Sequence, residues 1–227
     1  MRLVRSHVIY LLALLAIVAG LVVAMRSAYA QSSVGKPAHI SASVPTRLLV
    51  IGDSISVGYD ALVQKDGYAF LLAHALNAQL GMRAAFGINT PEMYAALERQ
   101  SLPGATYVVI ELGTNDTASD HQAFVRDYPA ILAIVRRFSP YARLVCTGPW
   151  APYSALQNID AYTISQDCVA AHGVYVDLQR LFAVAAYHGP AGFNFWGGVT
   201  DTFHPNDRGH LAIALAIQRA LRSGPLP

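Results

Sequence analysis

The sequence predicts an α/β domain, a three-layer sandwich in which helices cover both faces of a five-stranded parallel sheet. Three observations predict it. From Arg47 onward, short apolar runs suited to buried strands alternate with longer stretches of helical period. Right-handed crossovers between such strands place helices on both faces and put a ligand site at the carboxyl ends of the strands. A chain of 227 residues suits one such core, because single cores serve roughly 100 to 250 residues.

The composition, 54% hydrophobic and only 13% charged, points to one apolar segment that raises the average. It lies at the start. Arg2 and Arg5 precede an uncharged run over 8–25, and Ala28-Tyr29-Ala30 supplies the small residues read before cleavage. Residues 1–30 are therefore expected to be an export signal, with an uncleaved anchor as the alternative, since 18 apolar residues just span a bilayer. Export to the periplasm or outside the cell follows, and membrane contact is expected only through this segment. Without Arg2, Arg5 and Arg26, 13 basic side chains face 14 acidic ones. No basic stripe remains for a phosphate backbone, which excludes nucleic acid as a partner.

Residues 31–45, rich in Ser, Gly, Pro and Ala, read as a flexible lead, and 46–227 as the domain. Strands are expected at 47–52, 82–87, 106–112, 144–148 and 174–178. Helices are expected at 68–80, 91–99, 121–138 and 159–172, with Pro205 opening a last one that ends near Arg222. In the third helix Phe124, Tyr128, Ile131, Leu132 and Val135 recur at spacings of three and four, marking a buried face. Cys146 falls in a strand and Cys168 in the next helix; a bridge and two buried thiols both fit.

Chemistry is carried by three segments. The first strand runs into Gly52-Asp53-Ser54-Ile55-Ser56, delivering a hydroxyl to the carboxyl edge of the sheet. Asp201-Thr202-Phe203-His204-Pro205 sets an acid and an imidazole three residues apart, just before the last helix. A serine that attacks a carbonyl needs such a base, and the base needs a carboxylate to fix its tautomer. Glu111-Leu112-Gly113-Thr114-Asn115-Asp116, just past the third strand, offers the Asn115 amide as a donor for the oxyanion of a tetrahedral intermediate. His74, His121, His172, His188 and His210 share no metal-ligand spacing, and Asp177 reads as a cap. The aromatic, glycine-rich stretch 187–196 is a candidate wall for an acyl pocket.

In their order along the chain, Gly52 to Ser56, Gly113 to Asp116 and Asp201 to His204, these segments resemble the first, third and fifth blocks of the SGNH hydrolases, also called GDSL esterases/lipases, across nearly all of 46–220. The resemblance implies a flavodoxin-like three-layer fold and the triad Ser54, Asp201 and His204. It also implies ester, thioester or acetyl substrates, whether small-molecule esters, lipids or acylated glycans, with no metal or cofactor. One stretch departs from the family: its second block carries a glycine whose N–H joins the oxyanion hole, and here the segment reads Phe86-Gly87-Ile88-Asn89-Thr90-Pro91. The donor is Thr90 in one register and Gly87 in the other; Thr90 is preferred, because any residue but proline offers an N–H. An acyl-enzyme on Ser54 is the expected intermediate. The alternatives are an envelope glycan O-acyltransferase using the same triad and a non-catalytic binding module.

Overall fold

Apolar runs rich in valine, isoleucine and leucine become strands that are buried on both faces only when neighbours flank them, and this sequence supplies the neighbours. The computed structural model describes residues 45–223; the expected export signal and residues 31–44 of the lead lie outside them. The strands are β1 (Arg47–Gly52), β2 (Gln79–Ala84), β3 (Tyr107–Glu111), β4 (Arg143–Thr147) and β5 (Val174–Val176). They pair in the order β2-β1-β3-β4-β5, all parallel. The helices are α1 (Ser54–Val57), α2 (Tyr68–Ala75), α3 (Thr90–Leu97), α4 (His121–Phe138), α5 (Ala155–Ala170), α6 (Gln179–Phe182) and α7 (Asp207–Ser223). A small hairpin of β6 (Asn194–Phe195) and β7 (Gly198–Val199) precedes α7. None of the described helices is long and apolar enough to cross a membrane.

Alternation along β1 divides the core. Leu49 and Ile51 pack with Met93 of α3, Phe124 and Ile131 of α4, and Ile164 of α5. Leu48 and Val50 pack on the opposite face with Leu72 of α2 and Ile213 and Ile217 of α7. The whole stripe expected on α4 is buried, from Phe124 to Val135. Cys146 of β4 and Cys168 of α5 form a disulfide, with Cα atoms 6.0 Å apart, which ties that helix to the sheet.

Several boundaries differ from expectation. The helix expected over 68–80 stops at Ala75, because Asn77 turns left-handed at φ 48°, a conformation that asparagine tolerates and a helix does not. Gln79 and Leu80 then enter the sheet opposite Arg47 and Leu48. Strand β2 consequently starts three residues before the expected 82–87. It is an edge strand, exposed or half-buried throughout, so its apolar signal is weak. Likewise α5 begins at Ala155 rather than 159, where the Ser154 side chain caps it by accepting the Gln157 N–H.

Parallel register sets the functional edge. Gly52 lies opposite Ala84 on one side and Glu111 on the other, Glu111 opposite Thr147, and Thr147 opposite Val176. All five carboxyl ends therefore fall in one row, and the loops that leave them share one edge.

Candidate active site

Gly52 ends β1 in a place no side chain can share: a Cβ there would collide with Ser56 Oγ and the Glu111 carbonyl oxygen. Asp53 caps the short α1, its Oδ1 accepting the Ile55 N–H at 2.9 Å. This turn holds Ser54 at the sheet edge, 6% exposed.

From the other end of the chain, the loop before α7 folds on itself. Asp201 Oδ1 accepts the N–H groups of Phe203 and His204, both at 2.8 Å. Asp201 Oδ2 lies 2.7 Å from His204 Nδ1, and His204 Nε2 lies 3.1 Å from Ser54 Oγ. The hydroxyl, imidazole and carboxylate thus form one continuous row between residues 150 positions apart. Burial pushes the Asp201 carboxyl up, but the hydrogen bonds from His204 and Phe203 outweigh it and hold it below its ordinary value. A carboxylate kept ionised favours the tautomer with the proton on Nδ1, which leaves Nε2 free to accept from Ser54.

Two supports of this loop carry no recognisable signal in the sequence. Asp60, 2% exposed and left-handed at φ 66°, accepts the Asp201 N–H at 2.8 Å through Oδ2. Trp150, fully buried, donates its Nε1–H to the Phe203 carbonyl at 2.7 Å, while its N–H goes to Thr114 Oγ1. Trp150 therefore links the loop after β3 to the loop before α7. Asp60, Asp201 and His204 are also the one group of three metal-ligand side chains among the described residues, their donor atoms within 4.8 Å of one another. Asp201 already accepts three donors, the His204 Nδ1–H and the N–H groups of Phe203 and His204, whereas Asp60 Oδ1 is buried without a partner.

Asn115 reaches the same edge with both Nδ2 hydrogens engaged, one with Asp53 Oδ2 and one with the Ile88 carbonyl, each at 3.1 Å. The N–H of Thr90, the preferred second-block residue, is engaged elsewhere. Thr90 is fully buried at the start of α3, and its N–H and hydroxyl both go to the Asp116 carboxylate. That commitment leaves Thr90 no N–H for a ligand. Burial pushes Asp116 up to about 6, against the pull of the Thr90 bonds. Gly87, exposed and at φ 69°, has open space where a Cβ would stand, so a ligand can approach its backbone.

Three other histidines serve structure. His210, buried, accepts the Tyr68 N–H at Nδ1 and donates Nε2–H to the Tyr59 carbonyl, and burial lowers it to about 4. His121 pairs with Asp160, and His188 donates to the Phe182 carbonyl. Asp177, one residue before the Leu178 cap of α6, accepts the Gln179 N–H at 3.0 Å.

Aromatic rings surround the imidazole. Tyr59 lies 4.4 Å from the His204 ring centroid, with Phe195 at 4.9 Å and Phe86 at 5.5 Å from Tyr59. Trp196 extends the group toward solvent. A cavity of about 590 Å³ opens on the Asp60 side, lined by Leu62, His188, Pro190, Phe193 and Asn206, but neither Ser54 nor His204 lines it. The stretch expected to wall an acyl pocket thus divides, Phe193 facing this cavity and Phe195 and Trp196 lying by Tyr59 and Phe86.

The model of the GDSL-like Lipase/Acylhydrolase family matches residues 50–212. No curated protein matches the chain. Among solved structures, a family two carbohydrate esterase from Clostridium thermocellum, in complex with cellohexaose, superimposes at TM-score 0.59 with 19% identity, over 79% of this chain and 65% of that one. Phospholipase A1 from Streptomyces albidoflavus NA297 does so at 0.57 with 17% identity, over 78% and 100%. A salicylyl-acyltransferase from a tetracycline biosynthetic pathway does so at 0.55 with 17% identity, over 80% and 55%. The chain thus spans just under two thirds of the carbohydrate esterase, and at these identities the likeness is one of fold.

Proposed function

The chain belongs to the GDSL-like Lipase/Acylhydrolase family, and from that premise we propose that it is an ester hydrolase of the SGNH type, with Ser54 its nucleophile, His204 its general base and Asp201 the carboxylate that orients the base. The observation that carries this is the unbroken row from Ser54 Oγ through the His204 ring to Asp201 Oδ2, at 3.1 and 2.7 Å.

His204 Nε2 takes the hydroxyl proton as Ser54 Oγ attacks the ester carbonyl, and Asp201 stabilises the imidazolium that forms. The N–H groups of Ser54 and Gly87 and the Asn115 amide receive the oxyanion. Asn115 has to release one partner to do so. Its bond to the Ile88 carbonyl is the weaker tie, because that acceptor is neutral whereas Asp53 carries charge, and an anionic oxygen outcompetes it. His204 then protonates the leaving alcohol, and water activated by the same ring frees the acid from the acyl-enzyme. No step calls on a metal or organic cofactor.

The enzyme is exported in this proposal. Support comes from the charged, apolar and small-residue pattern of residues 1–30 and from the Cys146–Cys168 disulfide, which persists in oxidising compartments. Small-molecule, lipid and acylated glycan esters all fit the family, and the open row of rings beside His204 favours a glycan, whose flat faces stack on such rings. That the related carbohydrate esterase was solved with cellohexaose is consistent with this choice.

Ser54→Ala is expected to lower turnover of a soluble acetyl ester by roughly a millionfold if the triad acts as a unit. Undiminished hydrolysis by that variant would refute the assignment. The same exposed rings favour a second reading, transfer of the acyl group to a sugar hydroxyl seated on them. Product analysis with a sugar acceptor decides between the two: transfer outrunning hydrolysis marks the transferase. The intact hydrogen-bonded row lends no support to a non-catalytic module.

A further inference from the structure

Behind Ser54 lie two carboxyl groups that the chemistry above does not use. Asp53 and Glu111 are each fully buried and are neighbours at the sheet edge, Asp53 following the Gly52 that lies opposite Glu111, with Glu111 Oε2 3.4 Å from the Asp53 N. Among the described residues no lysine or arginine pairs with either. Two ionised carboxylates are acceptors only and offer each other nothing, whereas a protonated one can donate to its neighbour. Like charges this close, out of water and without a cation, do not both ionise.

The surrounding donors say which one holds the proton. Asp53 accepts the Ile55 N–H at 2.9 Å and the Asn115 amide at 3.1 Å, bonds that favour its charged form. Glu111 Oε2 accepts from Ser56 Oγ at 2.8 Å and more distantly from the Asp53 N–H at 3.4 Å, while Glu111 Oε1 has no donor at all. The other titratable groups facing the pair are the Tyr68 hydroxyl, bonded to Ser56 Oγ at 2.7 Å, the buried Tyr128, and His204 on the Asp53 side.

We propose that Glu111 is a neutral carboxylic acid donating its proton to the Asp53 carboxylate, and that this acid–carboxylate pair is the support that positions the Asn115 amide at the oxyanion site. Burial, with the Asp53 charge adding to it, drives the Glu111 carboxyl well above its ordinary range, while Asp53 is pushed up to about 6 and is ionised above that. Glu111 touches no substrate; it acts through Asp53, which acts through Asn115. Loss of the Glu111 proton at alkaline pH places two charges in one dry pocket, and the Asp53–Asn115 bond is the element free to move. Activity therefore falls on the alkaline side for a reason outside the triad. The positioning role rests on Ser54 being the nucleophile; the protonation of Glu111 does not.

The chain holds only three glutamates, Glu92, Glu98 and Glu111, the first two exposed. Uniform labelling with [13C]glutamate therefore yields three side-chain carboxyl signals in the unmodified protein. Two are expected to titrate in the ordinary carboxylate range, and the third to keep the shift of a protonated acid at neutral pH and to titrate only above it. Three signals ionised at neutral pH overturn the proposal, with no variant or turnover involved. Glu111→Ala is expected to lower kcat at neutral pH by roughly tenfold or more through a loosened oxyanion donor. Glu111→Gln, whose amide still donates to Asp53, is expected to recover most of that loss and to lack the alkaline limb that follows the Glu111 signal in the parent. An alkaline limb unchanged in Glu111→Gln overturns the positioning role. Activity surviving Ser54→Ala would instead sink the nucleophile assignment and leave the carboxyl signal standing.

Discussion

Replacing Asp60 with asparagine isolates the value of a carboxylate that touches neither substrate nor nucleophile. Asparagine keeps an oxygen to accept the Asp201 N–H, now 2.8 Å from Asp60 Oδ2, and it tolerates the left-handed backbone at φ 66°. What it removes is a negative charge within 4.8 Å of a His204 ring nitrogen. At an effective dielectric constant near 20, an ion pair at that separation amounts to roughly 3.5 kcal/mol. Relaxation and water around a half-buried imidazole reduce this to about 2 kcal/mol, or roughly thirtyfold in kcat. The imidazolium exists only during turnover, so KM stays near its parent value. Burial raises the Asp60 carboxyl, against the pull of the Asp201 N–H, so the gap between parent and Asp60→Asn widens as pH rises and Asp60 ionises. Steady-state kinetics on a soluble acetyl ester across that pH range, beside a denaturation curve to verify folding, reads the effect. A folded Asp60→Asn enzyme within about twofold of the parent kcat at neutral pH refutes the electrostatic role.

Trp150→Phe keeps the buried ring but orphans the Phe203 carbonyl, now 2.7 Å from the indole nitrogen; urea unfolding is expected to show a loss of about 1 to 3 kcal/mol. Removing the disulfide by Cys146→Ala with Cys168→Ala frees a loop closed across 22 residues. Chain entropy alone puts the loss near 3 kcal/mol, read as a lower urea midpoint in oxidised samples. The Asp116 carboxyl is raised from 3.8 to about 6, so the folded state binds its proton more tightly than the unfolded one. This stabilisation is complete below 3.8 and is lost as pH rises through about 6. Asp116→Asn, which can still accept from Thr90, is expected to flatten that part of the curve of Tm against pH.

Much of this architecture is legible in the sequence because it is local. The strand 47–52, the stripe on α4 and the last helix, which starts at Asp207 rather than at the expected Pro205, each declare themselves within a few residues, through burial on both faces or a period of 3.6. Ser54, Asp201 and His204 are legible for a related reason: each sits at an element boundary, in a short motif whose spacing the chemistry demands. Strand β2 is less so, since a half-exposed edge strand lacks the unbroken apolar run that marks β1. The supports of the site are illegible because they act across the fold. Asp60 meets Asp201 over 141 residues and Asn115 meets Asp53 over 62, and nothing in either sequence neighbourhood records the partner. Thr90 shows the converse. Its N–H looks available until the buried Asp116, 26 residues away, is seen to hold it. The altered second block thus leaves the backbone of Gly87, not that of Thr90, open to a ligand.

Incubating the folded protein with an active-site-directed fluorophosphonate, followed by peptide mass mapping, tests the nucleophile most directly. A single adduct on Ser54, absent after Ser54→Ala and strongly slowed after His204→Ala, is expected. Labelling elsewhere, or an unlabelled Ser54 in a protein that still hydrolyses esters, would contradict it.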